Sequence, residues 1–285
     1  MTPITSTTQL CALLGDPVAH SLSPIMHNAA FQFLGLDYVY LCLRVPSAEL
    51  GPALAGVKSL GLRGLNVTIP HKVAVLAYLG AVDPLAQDIG AINTVVNRDG
   101  RLIGYNTDGA GGLRALQDAH VTLAETKVVL LGAGGAARAL AFSIAPLVDH
   151  LVLLNRTDAK VMALASRLSQ RFNKPIRGGP LTRRALAAEL PDADILINTT
   201  SVGMRPDGED SAVDADLLHA RLTVFDAVYT PLETRLLREA RRVGATTVDG
   251  LSMLVHQGAL AFEIWTGVAP PLPVMSRAMK AALGR

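Results

Sequence analysis

The sequence predicts an α/β fold in which one domain is inserted into another. Short apolar runs alternate with longer amphipathic stretches over most of the 285 residues, a pattern typical of helices packed on a mainly parallel sheet. A fresh strand–helix–strand pattern begins at Lys127 and continues to about Gly244. The last forty residues indicate two further helices, separated by Pro270, Pro271 and Pro273.

The individual elements follow from local periodicity. Apolar and β-branched runs predict strands at residues 12–15, 38–43, 64–68, 94–97, 102–104, 127–131, 150–154, 195–198 and 223–226. Helical spacing predicts helices between them, at residues 24–33, 48–59, 72–78, 111–118, 136–144, 159–172 and 233–242. Asp99-Gly100 supplies the positive φ that a tight hairpin turn needs, so the strands on either side of it are expected to pair.

Composition excludes several classes of protein. Half of the residues are hydrophobic, which is enough apolar surface to offset the entropy of folding and excludes a disordered chain. The formal net charge of +2 is too balanced for a protein that lives on nucleic acid or on an anionic membrane. Cys11 and Cys42 are the two cysteines, too few for a disulfide framework, so we expect a reducing, cytoplasmic environment.

The apolar stretch 128–148 is long enough to be considered as a membrane span. It contains three glycines and Pro146, and it divides into a β-branched run followed by an alanine-rich helix. We therefore interpret it as a buried strand, a turn and a helix. The N-terminal residues do not have the basic start and long apolar run of a signal peptide.

That turn carries a nucleotide-binding pattern, Gly132-x-Gly134-x-x-Ala137, directly after a strand and at the start of a helix. Glycines allow a tight turn and let backbone amides approach a pyrophosphate, and the positive end of the helix faces the anion. Glycine turns also occur for structural reasons alone, but the strand–turn–helix context favours a dinucleotide. The sequence thus predicts a Rossmann-type NAD(P)-binding domain at residues 109–244, inserted between residues 1–108 and 245–285.

The residues after the second strand of that domain bear on the choice of cofactor. An NAD site usually has an acidic residue there for the ribose hydroxyls, whereas this strand ends in Asn155-Arg156-Thr157. Arg156, Thr157 and Lys160 are suited to a 2′-phosphate, which favours NADP. Asp158 is compatible with NAD instead, and the same residues are also suited to capping the next helix.

Polar clusters in the first domain suggest a ligand rich in hydroxyl groups. Ser21 and Ser23 precede a helix, where they are suited either to gripping a carboxylate or to capping that helix. Lys72 follows a strand whose end carries Asn66 and Thr68, and only six lysines occur in the chain against twenty arginines. A lysine can lose its proton where an arginine cannot, so Lys72 is a candidate for proton transfer, with a solvated surface lysine as the alternative.

Two further clusters, at residues 90–94 and 104–109, place Asn93 and Asp108 close to strand ends, where open α/β sheets bind ligands. Asp108 is equally suited to the N-cap of a helix.

Together these motifs resemble shikimate dehydrogenases. HSLSP, NVTIPHK, GAINT, GYNTDG, GAGGAAR, NRT, DAVYTP and DGLSMLVHQ occur in the order that this family uses, over essentially the whole chain. The resemblance implies a substrate-binding domain at residues 1–108 with 245–285, an inserted NADP-binding Rossmann domain, and reversible reduction of 3-dehydroshikimate to shikimate. Lys72 and Asp108 fall where the family has its catalytic pair.

The resemblance also implies the remaining roles. For the substrate carboxylate and ring hydroxyls it implies Ser21, Ser23, Thr68, Asn93, Tyr229 and Gln257. For the cofactor it implies Gly132, Ala133, Gly134, Gly135, Ala136, Asn155, Arg156, Thr157, Lys160, Ala227, Gly250 and Met253. Lys160 stands where the family often has arginine. The aspartate at position 158 resembles quinate/shikimate dehydrogenases, which accept NAD or quinate.

Three alternatives remain at this point. The first is an enzyme that oxidises quinate, or both substrates, with NAD. The second is a non-catalytic sensor of a shikimate-like ligand, which an intact Lys72 and Asp108 disfavour. The third is a metal-dependent enzyme, which the scattered spacing of the seven histidines disfavours. The family occurs as monomers and homodimers, and the sequence does not separate these.

Overall fold

The computed structural model describes residues 3–204 and 208–284. Its strands are β1 (Gln9–Gly15), β2 (Tyr38–Arg44), β3 (Gly64–Val67), β4 (Ala81–Val82), β5 (Thr94–Arg98), β6 (Arg101–Tyr105), β7 (Lys127–Leu131), β8 (His150–Asn155), β9 (Arg177–Pro180), β10 (Ile195–Asn198), β11 (Thr223–Asp226) and β12 (Thr246–Val248).

The α-helices are α1 (Ser23–Phe33), α2 (Leu50–Ser59), α3 (Pro84–Ile89), α4 (Asp108–Asp118), α5 (Gly135–Ile144), α6 (Asp158–Phe172), α7 (Arg183–Glu189), α8 (Arg235–Arg242), α9 (Gly250–Thr266) and α10 (Leu272–Leu283). Short 3₁₀ helices lie at Ser47–Glu49, Ala74–Tyr78 and Ala215–Leu217. The chain divides into two compact units, Met1–Asp108 with Val255–Arg285, and Gly109–Leu254.

The first unit is built on a six-stranded mixed sheet of order β2-β1-β3-β5-β6-β4. Strands β1, β2 and β3 are parallel, so their carboxyl ends lie at one edge, whereas β5 runs antiparallel to β3 and β6. Trp265 of α9 is fully buried and donates from Nε1 to the Val95 carbonyl at 3.0 Å. A Cβ at Gly64 would lie 2.3 Å from that same nitrogen, so Gly64 is what lets the indole reach the sheet.

The second unit has a six-stranded sheet of order β12-β11-β10-β7-β8-β9, in which every pair is parallel. Taken in chain order within the unit, this is the 3-2-1-4-5-6 arrangement of dinucleotide-binding folds, with the switch point between β7 and β10. Its central strands β7 and β10 are almost continuously apolar and buried, as is typical of a parallel sheet covered on both faces. The predicted fold class is thus confirmed.

Several sequence expectations for the elements agree with the structure and some differ from it. The hairpin forms as expected, with φ of 52° at Asp99 and 83° at Gly100 and with β5 and β6 paired. The helix expected at residues 72–78 is instead a 3₁₀ turn that begins at Ala74, and Lys72 lies in the turn before it.

The boundary expected after residue 244 differs too, because β12 pairs with β11 and the second unit continues to Leu254. Residues 1, 2, 205–207 and 285 of the expected ranges lie outside the described residues. In the two stretches that the structure covers, no helix combines the length and apolar character that crossing a bilayer requires.

Candidate active site and nucleotide loop

The first unit brings Lys72 and Asp108 together. Lys72 Nζ lies 2.6 Å from Asp108 Oδ2, and the two side chains are 19% and 6% exposed. Lys72 follows β3, and Asp108 is the first residue of α4, shortly after β6. The two charged side chains therefore come from segments that follow two separate strands. An ion pair this well shielded from water keeps a lysine in one place, which an exposed pair does not do.

Asn93 fixes the other oxygen of that carboxylate. Its Nδ2 lies 2.8 Å from Asp108 Oδ1, and the same nitrogen is 3.2 Å from Gln257 Oε1. Asn93 is 2% exposed and directly precedes β5. The side chains of Lys72, Asp108, Asn93 and Gln257 therefore form one connected group in the first unit.

The two serines occupy the entrance to α1. Ser21 Oγ donates to Ser23 Oγ at 3.2 Å, with Ser21 half-buried and Ser23 buried. The N-cap position of α1 is Leu22, so neither serine stands at the N-cap. Cys42 is half-buried, and burial raises the pKa of its thiol. A hydrogen bond with the nearby Ser21 acts in the opposite direction and lowers that pKa.

Thr68 lies at the carboxyl end of β3 beside the end of β1. A Cβ on Gly15 would lie 2.4 Å from Thr68 Cγ2, so Gly15 is needed for the two segments to approach. The Thr68 amide donates to the Leu14 carbonyl at 2.9 Å. The segment that begins at Gly15 and carries Ser21 thus starts next to the segment that carries Thr68 and Lys72.

The second unit presents the glycine loop at its switch point. Gly132 has φ of +117°, and a Cβ there would lie 2.5 Å from Thr199 Oγ1, so glycine is required at this position. Ala137 is fully buried, where the pattern needs a small residue between helix and strand. Around Gly134, the N-cap of α5, the described residues leave the Cβ direction open to 4 Å. The loop and the N-terminus of α5 thus have the shape and polarity that a pyrophosphate needs.

The end of β8 carries the residues expected at the adenosine 2′-phosphate. Arg156, Thr157 and Lys160 are exposed, and Asn155 Nδ2 donates to the Thr157 carbonyl at 3.1 Å. Thr157 occupies the N-cap position of α6, yet its hydroxyl caps none of the amides in the described part of that helix. Asp158, also exposed, is the first residue of α6.

The remaining residues expected at the cofactor lie after β11 and in α9. A Cβ on Gly250 would lie 2.4 Å from the Ala227 carbonyl oxygen, so these two backbones are in close approach. Met253 follows one helical turn after Gly250 and is 7% exposed. Tyr229, in the same loop as Ala227, is half-buried.

A buried carboxylate that sequence reasoning did not select organises this part of the second unit. Asp226 is fully buried at the end of β11 and accepts from Thr234 Oγ1 at 2.6 Å, Asn198 Nδ2 at 3.0 Å and the Val228 amide at 3.1 Å. Burial raises its pKa to about 6, against the opposing effect of these donors. The sequence feature that could have identified Asp226 is an acidic residue at the end of an apolar strand.

Two family models match the chain. The model of the shikimate dehydrogenase substrate binding domain matches residues 13–95, and that of the shikimate 5'-dehydrogenase C-terminal domain matches residues 250–280. Both agree with the family that the motifs indicated.

Relatives match over the full length. The shikimate dehydrogenase (NADP(+)) of Moorella thermoacetica is 48% identical to this chain, over 100% of the chain and 97% of that protein. The crystal structure of shikimate 5-dehydrogenase from Thermus thermophilus in complex with NADP(H) and shikimate is similar with a TM-score of 0.88 and 41% identity, over 97% of this chain and 100% of that one.

A quinate dehydrogenase from Corynebacterium glutamicum in complex with NAD is also similar, with a TM-score of 0.89 and 32% identity, over 96% of this chain and 99% of that one. The agreement in sequence, in fold and in full-length coverage confirms the resemblance of the motifs: this chain belongs to the shikimate dehydrogenase family.

Proposed function

We propose that this chain catalyses the reversible, NADP-dependent reduction of 3-dehydroshikimate to shikimate. The observation that carries the proposal is the shielded pair of Lys72 and Asp108, 2.6 Å apart and joined to Asn93 and Gln257. The first unit is assigned to the substrate and the second to the cofactor.

Reduction of a ketone to an alcohol adds a hydride to carbon and a proton to oxygen. NADPH supplies the hydride when it is bound. The ammonium of Lys72 holds the proton next to the carbonyl oxygen and stabilises the negative charge that grows on it. In the direction of oxidation, neutral Lys72 accepts the proton of the hydroxyl. Asp108 orients Lys72 and balances its charge in both directions.

Substrate recognition is assigned to polar groups of complementary chemistry. The hydroxyls of Ser21 and Ser23, 3.2 Å apart, are suited to the two oxygens of a carboxylate. Thr68, Asn93 and Gln257 are assigned to the ring hydroxyls. The resemblance implies that Tyr229 adds its hydroxyl to carboxylate recognition.

Cofactor recognition is assigned to the second unit. The open side of Gly134 and the N-terminus of α5 receive the pyrophosphate, within the stretch from Gly132 to Ala136. Around the 2′-phosphate, Arg156 and Lys160 supply charge, and Asn155 and Thr157 supply hydrogen bonds. The nicotinamide end is assigned to Ala227, Gly250 and Met253.

A second candidate function is oxidation of quinate with NAD. The exposed carboxylate of Asp158, in the first turn of α6, is suited to ribose hydroxyls and would repel a 2′-phosphate. The full-length similarity to a quinate dehydrogenase supports the same alternative. The exposed Arg156 and Lys160 in the same segment favour NADP.

The test is an assay of the purified protein with each of shikimate and quinate, and with each of NADP and NAD. We expect the highest kcat/KM with shikimate and NADP. A higher kcat/KM with quinate and NAD would favour the second function, and inactivity with all four combinations would contradict both.

We further infer a cytoplasmic enzyme whose assembly is either a monomer or a homodimer. Both inferences are tested on the native protein, the first by cell fractionation and the second by its mass in solution.

A further inference from the structure

We propose that Thr94 is a positioning residue for the reaction: its hydroxyl holds the amide of Asn93 in the orientation that directs a donor at Asp108 and thereby keeps Lys72 in place. This inference rests on the proposed function, because it assigns Thr94 a part in the work of the Lys72–Asp108 pair. None of the roles assigned above uses Thr94.

A backbone group identifies which end of the Asn93 amide is the oxygen. The Thr107 amide, which can only donate, lies 2.8 Å from Asn93 Oδ1. The side-chain oxygen of Asn93 therefore faces the Thr107 amide, and its nitrogen faces Asp108 Oδ1 and Thr107 Oγ1, each at 2.8 Å. A rotated amide would set an oxygen against a carboxylate, which is repulsive.

The orientation of the Asn66 amide is identified in the same way. The Asn93 carbonyl, which can only accept, lies 3.2 Å from Asn66 Nδ2. The side-chain oxygen of Asn66 is thus on the other side, where it accepts from the Tyr40 hydroxyl at 2.8 Å. Tyr40 is itself held by stacking on His27, with ring centroids 4.4 Å apart.

Thr94 Oγ1 lies between these two oriented amides. It accepts from Asn66 Nδ2 at 3.2 Å and donates to Asn93 Oδ1 at 3.0 Å. A hydroxyl can do both at once, which an apolar side chain of the same shape cannot do. The donors therefore run in one direction, from Tyr40 through Asn66, Thr94 and Asn93 towards the carboxylate of Asp108.

Burial strengthens the hydrogen bonds of this chain of donors. Tyr40 and Thr94 are fully buried, Asn66 is 6% exposed and Asn93 is 2% exposed. Hydrogen bonds shielded from water polarise one another, and a missing partner is not replaced by solvent. Loss of the Thr94 hydroxyl should thus loosen Asn93 and weaken the donor that it gives to Asp108, while the backbone partners of both amides remain.

The test compares Thr94→Val with Thr94→Ser. Valine keeps the branched shape that suits β5 and removes the hydroxyl, whereas serine keeps the hydroxyl. We expect Thr94→Val to lower kcat about tenfold with KM for shikimate changed less than about threefold, and Thr94→Ser to restore most of kcat. Tyr40→Phe, which removes only the first donor, should lower kcat by a smaller factor, about threefold.

The matched control is Asn97→Ala, on the same strand. Asn97 is 8% exposed and bonds to the Leu62 carbonyl at 3.0 Å and the Gly100 amide at 2.9 Å, so it is a buried polar residue with structural partners only. We expect Asn97→Ala to lower the melting temperature while kcat stays at the wild-type value.

A double-mutant cycle separates positioning of Asp108 from a general loss of packing. In an Asp108→Asn background, adding Thr94→Val should lower kcat by less than about twofold, since the carboxylate that it serves is gone. A full tenfold loss in that background would overturn the inference, as would wild-type kcat in Thr94→Val. Should Thr94→Val not fold, wild-type kcat in Tyr40→Phe would overturn it. A wild-type protein inactive in the four assays would instead contradict the proposed function itself.

Discussion

Lys72 and Asp108 stand 36 residues apart in the chain, yet the ammonium of one lies 2.6 Å from the carboxylate of the other. Their two backbones are fixed by different devices. The residues before Lys72 are held by the Thr68 amide bonded to β1, and the amide of Asp108 donates to Asn106 Oδ1 at 3.0 Å. Because neither residue depends on the other for its backbone position, either side chain can be changed singly.

Lys72→Ala should lower kcat about 100- to 10,000-fold, with a much smaller rise in KM for shikimate. The variant loses the proton donor of the reaction but keeps the residues assigned to the substrate carboxylate. Lys72→Arg should also be slow, since arginine keeps the charge but does not release its proton. Steady-state kinetics in both directions measure these effects.

The control for that prediction is Lys58→Ala, which removes an exposed lysine from α2 of the same unit and should leave both constants unchanged. Equal factors of loss in kcat and gain in KM for Lys72→Ala would indicate a binding lysine. Turnover at the wild-type rate would remove Lys72 from the chemistry.

Much of the second unit was predictable because its central strands are short, continuously apolar and bounded by turn residues. β7, β10 and β11 begin and end where the sequence predicted. β9 and β12 were not predicted, because Arg177–Pro180 has two glycines and a proline, and Thr246–Val248 has only three residues, of which two are threonine. Both strands form because their backbones pair with a neighbouring strand. The residues of the segment alone do not indicate that pairing.

The site was predictable in part. The Asp99-Gly100 turn sets the register of β5 and β6, pairs Thr94 with Tyr105 and so brings Asn93 close to Thr107. The pairing of Lys72 with Asp108 came from the family resemblance, since no periodicity joins them. The part of Thr94 was not predictable, because it depends on two side-chain amides whose orientations follow only from hydrogen-bond partners in other segments.

Gly134→Ala should weaken NADP binding about tenfold or more while leaving shikimate binding unchanged. The described residues around Gly134 leave room for a methyl group, so the variant should fold, and that group would then occupy the space assigned to the pyrophosphate. Calorimetric titration with NADP and with shikimate gives both affinities.

Gly132→Ala is the informative comparison for the loop, because its Cβ would lie 2.5 Å from Thr199 Oγ1 at a φ of +117°. We expect Gly132→Ala to lower the melting temperature and Gly134→Ala to leave it close to that of the wild type. Wild-type NADP affinity in Gly134→Ala would place the pyrophosphate elsewhere.

Arg156→Ala should lower kcat/KM for NADP about 10- to 100-fold and leave kcat/KM for NAD nearly unchanged, because a charge-assisted hydrogen bond to the 2′-phosphate is lost and NAD has no such group. Asp158→Ala should have the opposite effect and raise kcat/KM for NADP, since it removes a negative charge near the 2′-phosphate. The ratio of the two cofactor constants is the measurement. A ratio unchanged by both substitutions would mean that this segment does not select the cofactor.

Asp226 should make the protein less stable as pH rises. Burial raises the pKa of its carboxyl from 3.8 to about 6 in the folded state, so between these values the folded chain binds a proton that the unfolded chain has released. Under proton linkage, the free energy of unfolding then falls as pH rises through this window. The contribution is fully present below about pH 4 and lost above about pH 6, with a total of about 3 kcal/mol.

Asp226→Asn removes the titration and keeps the size of the side chain. Urea unfolding followed by circular dichroism, from about pH 4 to about pH 7, should show the wild type losing stability relative to Asp226→Asn as pH rises. Val224→Ala, a buried change on the same strand, should lower stability by an amount that does not vary with pH, because it removes no titrating group. If the difference between wild type and Asp226→Asn is constant across this range, the carboxyl is not taking up a proton on folding, and its three hydrogen bonds at least offset the effect of burial on its pKa.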